Sequence, residues 1–426
     1  MSVDAASLCR WTLTRGPSMY LIAFVVTICI YLNVKSLSGG FSGSNSQVDM
    51  KDMQSITTVT SCPSLKPNLI MSAVDGAKLQ DQIFIFMQSL ELALGRELLS
   101  THATKHTACP PAKVLVKIIT PPDVTRNLPD GFKALLERYP SLEFVGVLPE
   151  IDAPVVMRRF RGFANFVGGV PSVWDKILVC DLDVAFQRNP FNMAMKRGIE
   201  LLYFAEWRGL KIGQCKVHVG WFHACSRFYM SKTQEEAYKP LDRICAGTTY
   251  GTAMAVAVYL RTMAAELMWS KYECNDQAIH IHIFYSKLLD AKLTQAGLGH
   301  AWMVPNEEAL FGTVGTTPIL TFNEWGEALN ERGEVQYAVH QYKTHRLLSQ
   351  IIWKRYGWMA EVSGKAVHPI PGLLEDEEWS KAMSTGSEKL PRFKLGNATS
   401  ELCTAEGSLC SCRYEDCQMD YGEFEP

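Results

Sequence analysis

The chain has 426 residues, 47% hydrophobic and 20% charged, a composition that excludes disorder and suits one large folded domain or two smaller ones. Forty-two basic against 44 acidic residues leave a net charge of -2, so no polybasic field points to nucleic acid as a partner. Function must be read from sites.

In chain order, residues 1–16 read as a short cytoplasmic tail and residues 17–34 (PSMYLIAFVVTICIYLNV) as a transmembrane signal-anchor. The run carries no charge, and at about 1.5 Å per residue it nearly crosses a hydrocarbon core of about 30 Å. Arg10 and Arg15 precede it and only Lys35 follows closely, a bias that leaves the remainder of the chain lumenal, in type II single-pass topology. A cleaved signal peptide is the alternative, since SLSGG (Ser36–Gly40) is permissive for cleavage. A short span suits the thinner early-secretory membranes, which predicts a Golgi or endoplasmic reticulum location.

Residues 35–66 are small and polar without hydrophobic period, as in a flexible lumenal stem. The folded domain is expected over residues 67–360. There the strand candidates NLIMSAV, KVLVKII, LEFVGV, KILVC and ELLYFAEW are interspersed with helical runs such as KLQDQIFIFMQSLELAL and VVMRRFRGFANFV. That pattern predicts an α/β fold with a mostly parallel central sheet covered by helices on both faces, whose ligands sit beyond the carboxyl ends of the strands. Residues 361–426 form a C-terminal extension. Its Cys403, Cys410, Cys412 and Cys417 are expected to pair in an oxidising lumen; a zinc site is the rival, although their spacing lacks paired CxxC motifs. Asn397-Ala398-Thr399 is a glycosylation sequon.

The apolar run KILVC ends on Asp181-Leu182-Asp183. Two carboxylates at i and i+2 beyond a buried strand can share one divalent cation, and hard oxygen ligands favour manganese or magnesium. A solvated strand end is the structural alternative. Four further segments join it: VAFQRNPF (Val184–Phe191), ICAGTTYGT (Ile244–Thr252) with a helical run after it, ECNDQAIHIHIFY (Glu273–Tyr285) and YAVHQYKTH (Tyr337–His345).

With the anchor and stem, this set resembles the nucleotide-diphospho-sugar glycosyltransferases of the GT-A fold, glycogenin-like enzymes and their relatives, over roughly residues 68–357. The resemblance implies a metal-dependent hexosyl- or pentosyltransferase that moves sugar from a nucleotide-diphosphate donor to a glycan or glycoprotein acceptor. It implies Asp181, Asp183 and His340 as metal ligands, although a lone histidine ending an apolar strand is equally a core residue. Asp276 and Gln277 are implied to face the transferred sugar or acceptor hydroxyl, while Asn275 or Asp276 also suits a helix cap. From VVMRRFRGFANFV, Arg158 and Arg161 are candidate nucleotide-phosphate ligands, with Arg159 beside them and solvated helix charge as the alternative. Gly247 and Gly251 are implied to form a glycine turn that lets backbone approach the donor. Two departures stand out: Cys245 occupies a position that is usually Asn, and Lys343 one that is usually Asp. His280 and His282 alternate along a helix and so cannot form a two-histidine metal face. Two other classes compete: a metal-dependent nucleotide-sugar pyrophosphatase or phosphotransferase, and a catalytically silent lumenal binding protein.

The topology has a direct consequence. Protease added to sealed microsomes should spare residues beyond the stem, and Asn397 should carry a glycan removable by endoglycosidase. Digestion of the Cys-rich tail from the outside would reverse the orientation.

Overall fold

The computed structural model describes residues 65–75, 82–95 and 112–356, apart from 129, 228, 316, 318, 324, 325 and 345, together with two short strands between 404 and 413. The chain divides into units of residues 1–61 and 62–426, and all described residues belong to the second. The expected anchor at 17–34, the sequon at Asn397 and the side chains of the tail cysteines lie outside the described residues. Among the described residues no helix is long and apolar enough to cross a membrane.

The strands in chain order are β1 (Asn68–Ala73), β2 (Val114–Ile119), β3 (Leu142–Val145), β4 (Lys176–Cys180), β5 (Val184–Phe186), β6 (Ile199–Ala205), β7 (Ile244–Thr252), β8 (His300–Val304), β9 (Phe311–Thr313), β10 (Ile319–Phe322), β11 (Ala328–Leu329), β12 (Ala338–His340), β13 (Thr404–Glu406) and β14 (Leu409–Arg413). The helices are α1 (Gln82–Leu94), α2 (Pro122–Arg126), α3 (Asp130–Arg138), α4 (Val155–Gly168), α5 (Lys216–Ser226), α6 (Lys232–Tyr238), α7 (Ala253–Trp269), α8 (Asp276–Tyr285), α9 (Leu288–Gln295) and α10 (Arg346–Tyr356).

Seven strands form the main sheet in the order β3-β2-β1-β4-β7-β6-β8. Strands β1 to β4 run parallel to one another, as do β6 and β8, while β7 lies antiparallel between β4 and β6. The sheet is therefore mostly parallel, as the interspersed strand and helix runs predict.

Its strands read as continuous apolar runs because both faces are buried. Alternate residues divide between two cores. Leu69, Met71, Ile177 and Val179 pack with Phe160 and Phe163 of α4 and Val256 and Tyr259 of α7. Ile70, Leu178 and Cys180 pack on the other side with Phe84 and Phe86 of α1 and Leu135 of α3. A one-residue slip in β4 would exchange the two sets.

The glycine turn expected over Ile244–Thr252 is corrected: the segment is the central strand β7. Its glycines suggest a turn, but Thr248, Thr249 and Tyr250 are fully buried, and β-branched and aromatic residues between two neighbours favour extended backbone. Because β7 runs against its neighbours, its amino-terminal half arrives at the carboxyl ends of β4 and β6.

A second sheet has the order β5-β12-β9, with β12 antiparallel to β5 and parallel to β9. Ala185, Val339, Leu348 and Ile351 lie in a third core beneath it. Strands β11, β10, β14 and β13 form a separate small sheet.

Cys225, in the last turn of α5, is bonded to Cys274, with a Cα–Cα distance of 4.7 Å across 49 residues. The sequence predicts disulfide pairing in the tail, whereas this bridge lies within the folded domain. Cys274 immediately precedes the cap of α8, so the bridge fixes where that helix begins. Replacing both cysteines with alanine should lower the unfolding free energy by about 2 to 4 kcal/mol. Urea unfolding of the variant beside oxidised and reduced wild type would check this; identical curves for all three would deny the bridge.

Candidate functional site

At the end of β4 the Asp181 amide donates to the Gly247 carbonyl at 2.9 Å, which carries the β4–β7 pairing one residue past the strand. The chain then turns through Leu182 and re-enters extended structure at β5. Asp181 and Asp183 flank that turn.

His340 reaches them through the second sheet. Register pairs His340 of β12 with Val184 of β5, one residue after Asp183, and with Thr313 of β9. The His340 Nε2 atom lies 3.2 Å from Asp183 Oδ1 and 3.4 Å from Asp181 Oδ2. One ligand atom from each of the three residues falls within 4.8 Å of the others. Gln341 then adopts φ 58°, and its amide points to the Asp183 carbonyl at 3.3 Å. Such left-handed backbone at a glutamine costs of order 1 kcal/mol and is a form of local strain concentrated at functional sites.

Gly247 supplies the floor. A Cβ built there would come within 2.6 Å of His340 Nε2 and 2.8 Å of Asp181 Oδ2, so any larger residue would fill the space between the ligand atoms. Gly251 serves another purpose. It lies four residues along β7, about 13 Å away at 3.3 Å per residue, where a side chain would strike the Glu200 carbonyl of β6.

The cation nearest these acids is Arg159. Its buried guanidinium ion-pairs with Asp181 Oδ1 and, 3.1 Å away, with Asp276 Oδ2. Asp181 thus gives one oxygen to Arg159 and turns the other to His340. Of the two arginines expected to contact phosphate, Arg158 donates to the Pro149 carbonyl at 3.2 Å and Arg161 is exposed. Helical period explains the choice. Arg159 is four residues before the buried Phe163 and eight before the buried Val167, so it points to the core, a phase already written in the sequence.

These charges shift one another. Burial alone would raise the Asp181 carboxyl, but the Arg159 guanidinium and the His340 ring hold it well below the usual carboxylate range. For Asp276 burial dominates, opposed by Arg159 and assisted by the Asp181 charge, and its pKa is pushed up to about 6. Burial disfavours charge on His340, yet Cys245, Asp183 and Asp181 outweigh it and raise the ring above its ordinary value.

At the head of α8 the cap is Asn275, whose side chain accepts the Gln277 amide at 2.9 Å. That resolves the capping alternative and leaves the Asp276 carboxylate to Arg159. Gln277 turns away from the acids: its amide nitrogen donates to the Ile244 carbonyl and its oxygen accepts the Ala246 amide at 2.8 Å. The β6–β7 register is irregular between Tyr203 and Ala205, and Gln277 satisfies backbone groups of β7 there. His280 and His282 bond Tyr259 and Tyr238, each at 2.9 Å, and burial lowers their pKa values to about 3 and about 4. Both are core residues.

Two carboxylate oxygens and one imidazole nitrogen over a glycine floor are a donor set suited to manganese or magnesium. The residues present fit such an ion.

No protein-family model matches the chain, and no curated protein does. Among solved structures the chain is similar to the galactosyltransferase LgtC in complex with donor and acceptor sugar analogs. The identity is 13% and the TM-score 0.35, covering 74% of this chain and 99% of that one. An active-site mutant of LgtC gives 12% identity and a TM-score of 0.36, covering 73% and 99%.

The elevated Asp276 pKa sets a pH dependence. Its folded value of about 6 stands above the unfolded value, so its contribution to stability is full below about pH 4 and is lost as pH rises through 6. Asp276→Asn lacks this loss. Wild type should therefore weaken relative to the variant by on the order of 2 kcal/mol between pH 4 and 7, measured by urea unfolding. A constant difference across that range would mean an unshifted carboxyl.

Proposed function

We propose that the chain is a GT-A glycosyltransferase that transfers sugar from a nucleotide-diphosphate donor to a glycan or glycoprotein acceptor, with a divalent cation, manganese ahead of magnesium. We also propose that it works in the Golgi or endoplasmic reticulum lumen behind a single-pass anchor. One observation carries the enzymatic reading: Asp181, Asp183 and His340 converge from segments over 150 residues apart at the carboxyl end of a central strand, with ligand atoms within 4.8 Å of one another. Core packing does not require two acids and an imidazole to meet there, whereas ligands of open α/β sheets bind at that edge.

In this reading Asp181, Asp183 and His340 hold the cation, which when bound offsets negative charge on the departing diphosphate. Gly247 keeps the floor clear for the donor. Arg159 fixes the angle of Asp181 and, by the same guanidinium, places the Asp276 carboxylate at the amino terminus of α8. Asp276 is the group for the transferred sugar or the acceptor hydroxyl. Gln277 acts one step back, holding β7 against α8 so that Gly247 and Asp276 keep their separation.

The test is turnover of a panel of nucleotide sugars by the full-length chain with manganese, with and without glycan acceptors. Asp181→Asn and Asp183→Asn should each lower donor turnover at least about 100-fold, and chelator should reproduce the loss. Asp183→Asn should keep its melting temperature within a few degrees, whereas Asp181→Asn also takes a partner from Arg159 and should melt lower. At saturating manganese, wild-type turnover should fall as pH drops through about 6, where Asp276 takes up its proton. Turnover unaffected by chelator would remove the metal-dependent reading; phosphate-ester cleavage indifferent to any acceptor would favour a pyrophosphatase.

A further inference from the structure

His340 has two ring nitrogens, and only one faces the acids. Its Nδ1 atom points the other way, to Cys245 Sγ at 3.3 Å and Thr313 Oγ1 at 3.3 Å. Cys245 is nearly fully buried in β7, and its sulfur also accepts the Gly247 amide at 3.3 Å. Residues two apart on a strand share a face, so Cys245 and Gly247 approach the same ring from one side: the glycine under Nε2, the thiol behind Nδ1.

From this geometry we infer that Cys245 is a positioning residue for the metal site, and that its sulfur holds His340 in the tautomer that leaves Nε2 free to ligate. The inference rests on the metal-dependent reading above. A neutral imidazole that offers the Nε2 lone pair to a cation carries its proton on Nδ1, and that proton needs a buried acceptor. Two atoms are in reach. For an oxygen acceptor 3.3 Å lies beyond the usual 2.7–3.2 Å range, whereas sulfur is larger and the same separation is a close contact. The thiol is the better seated of the two. Sulfur, placed between the Gly247 amide and the His340 ring, couples the floor of the site to its third ligand.

A thiol that merely fills space would behave differently, and volume-matched variants separate the cases. Manganese alone, without donor, would be titrated into the full-length chain by calorimetry or by the free-ion resonance signal, for wild type, Cys245→Val, Cys245→Ser, Cys245→Asn and Asp183→Asn. Valine keeps the bulk and removes the acceptor, so it should weaken manganese binding by about 10- to 100-fold while the melting temperature of the metal-free protein stays within a few degrees. Serine or asparagine should recover most of the affinity. Nitrogen chemical shifts of labelled His340 in the metal-free chain, followed upward in pH until the ring is neutral, would provide a second readout, with Nδ1 protonated in wild type and a mixture of tautomers in Cys245→Val.

Equal manganese affinity in Cys245→Val and wild type, with Asp183→Asn impaired, overturns the inference and leaves the metal site standing. Serine and asparagine as weak as valine would also overturn it. Full affinity in Asp183→Asn would instead remove the metal-site reading on which it rests.

Discussion

The constraint on which the site depends is electrostatic: carboxylates from distant parts of the chain must stand together at a poorly hydrated sheet edge. Two unit charges 4 Å apart interact by about 4 kcal/mol at an effective dielectric of 20, so the arrangement needs fixed positive charge. Arg159 supplies it to Asp181 and Asp276 at once, and His340 faces Asp181 and Asp183 from the other side. Each acid is thereby aimed as well as neutralised. Asp181 shows this most directly, because Arg159 engages one of its oxygens and the remaining one has a single orientation toward the imidazole.

The second sheet solves the problem of distance. A histidine more than 150 residues from the acids cannot be delivered by local structure, and a loop would deliver it loosely. Pairing β12 with β5 delivers it by register: His340 lies opposite Val184, so the histidine and the second aspartate are related by one residue of ladder. The left-handed Gln341 that follows then closes the pairing against the Asp183 carbonyl. The third core, with Ala185, Val339 and Leu348, gives that register its stability, since a slip of one residue would expose it and turn His340 away.

Much of this was legible in the sequence wherever apolar period and charge disagreed. KILVC ending on DLD and AVH ending on a histidine both mark strands that stop at the candidate site, and the interspersed strand and helix runs imply the mostly parallel sheet. Other features were hidden for separate physical reasons. Arg159 is one of three arginines in four residues, and only its phase relative to Phe163 and Val167 distinguishes it from the solvated Arg161. Strand β7 was masked by Gly247 and Gly251, which serve close approaches within a sheet and not a turn. The Cys225–Cys274 bridge could not be chosen from 13 cysteines, because connectivity is a property of the fold. Gln277 looked like a group for substrate, yet its amide is consumed by backbone that a register irregularity leaves unpaired.

The antiparallel direction of β7 unites these details. Had β7 run parallel to β4, its amino-terminal half would lie at the opposite end of the sheet, and Cys245, Ala246 and Gly247 could not meet the acids. Running backward, it places a glycine floor beneath the ligand atoms, a thiol behind the histidine, and open backbone groups for Gln277. Gln277 in turn ties β7 to the start of α8, which the Cys225–Cys274 bridge fixes from the other side and the Asn275 cap terminates. The Asp276 carboxylate is turned to Arg159. The groups of the candidate site are therefore held on strands, on helices or in the one short turn between β4 and β5, and the exposed connections of the domain are left to vary around it.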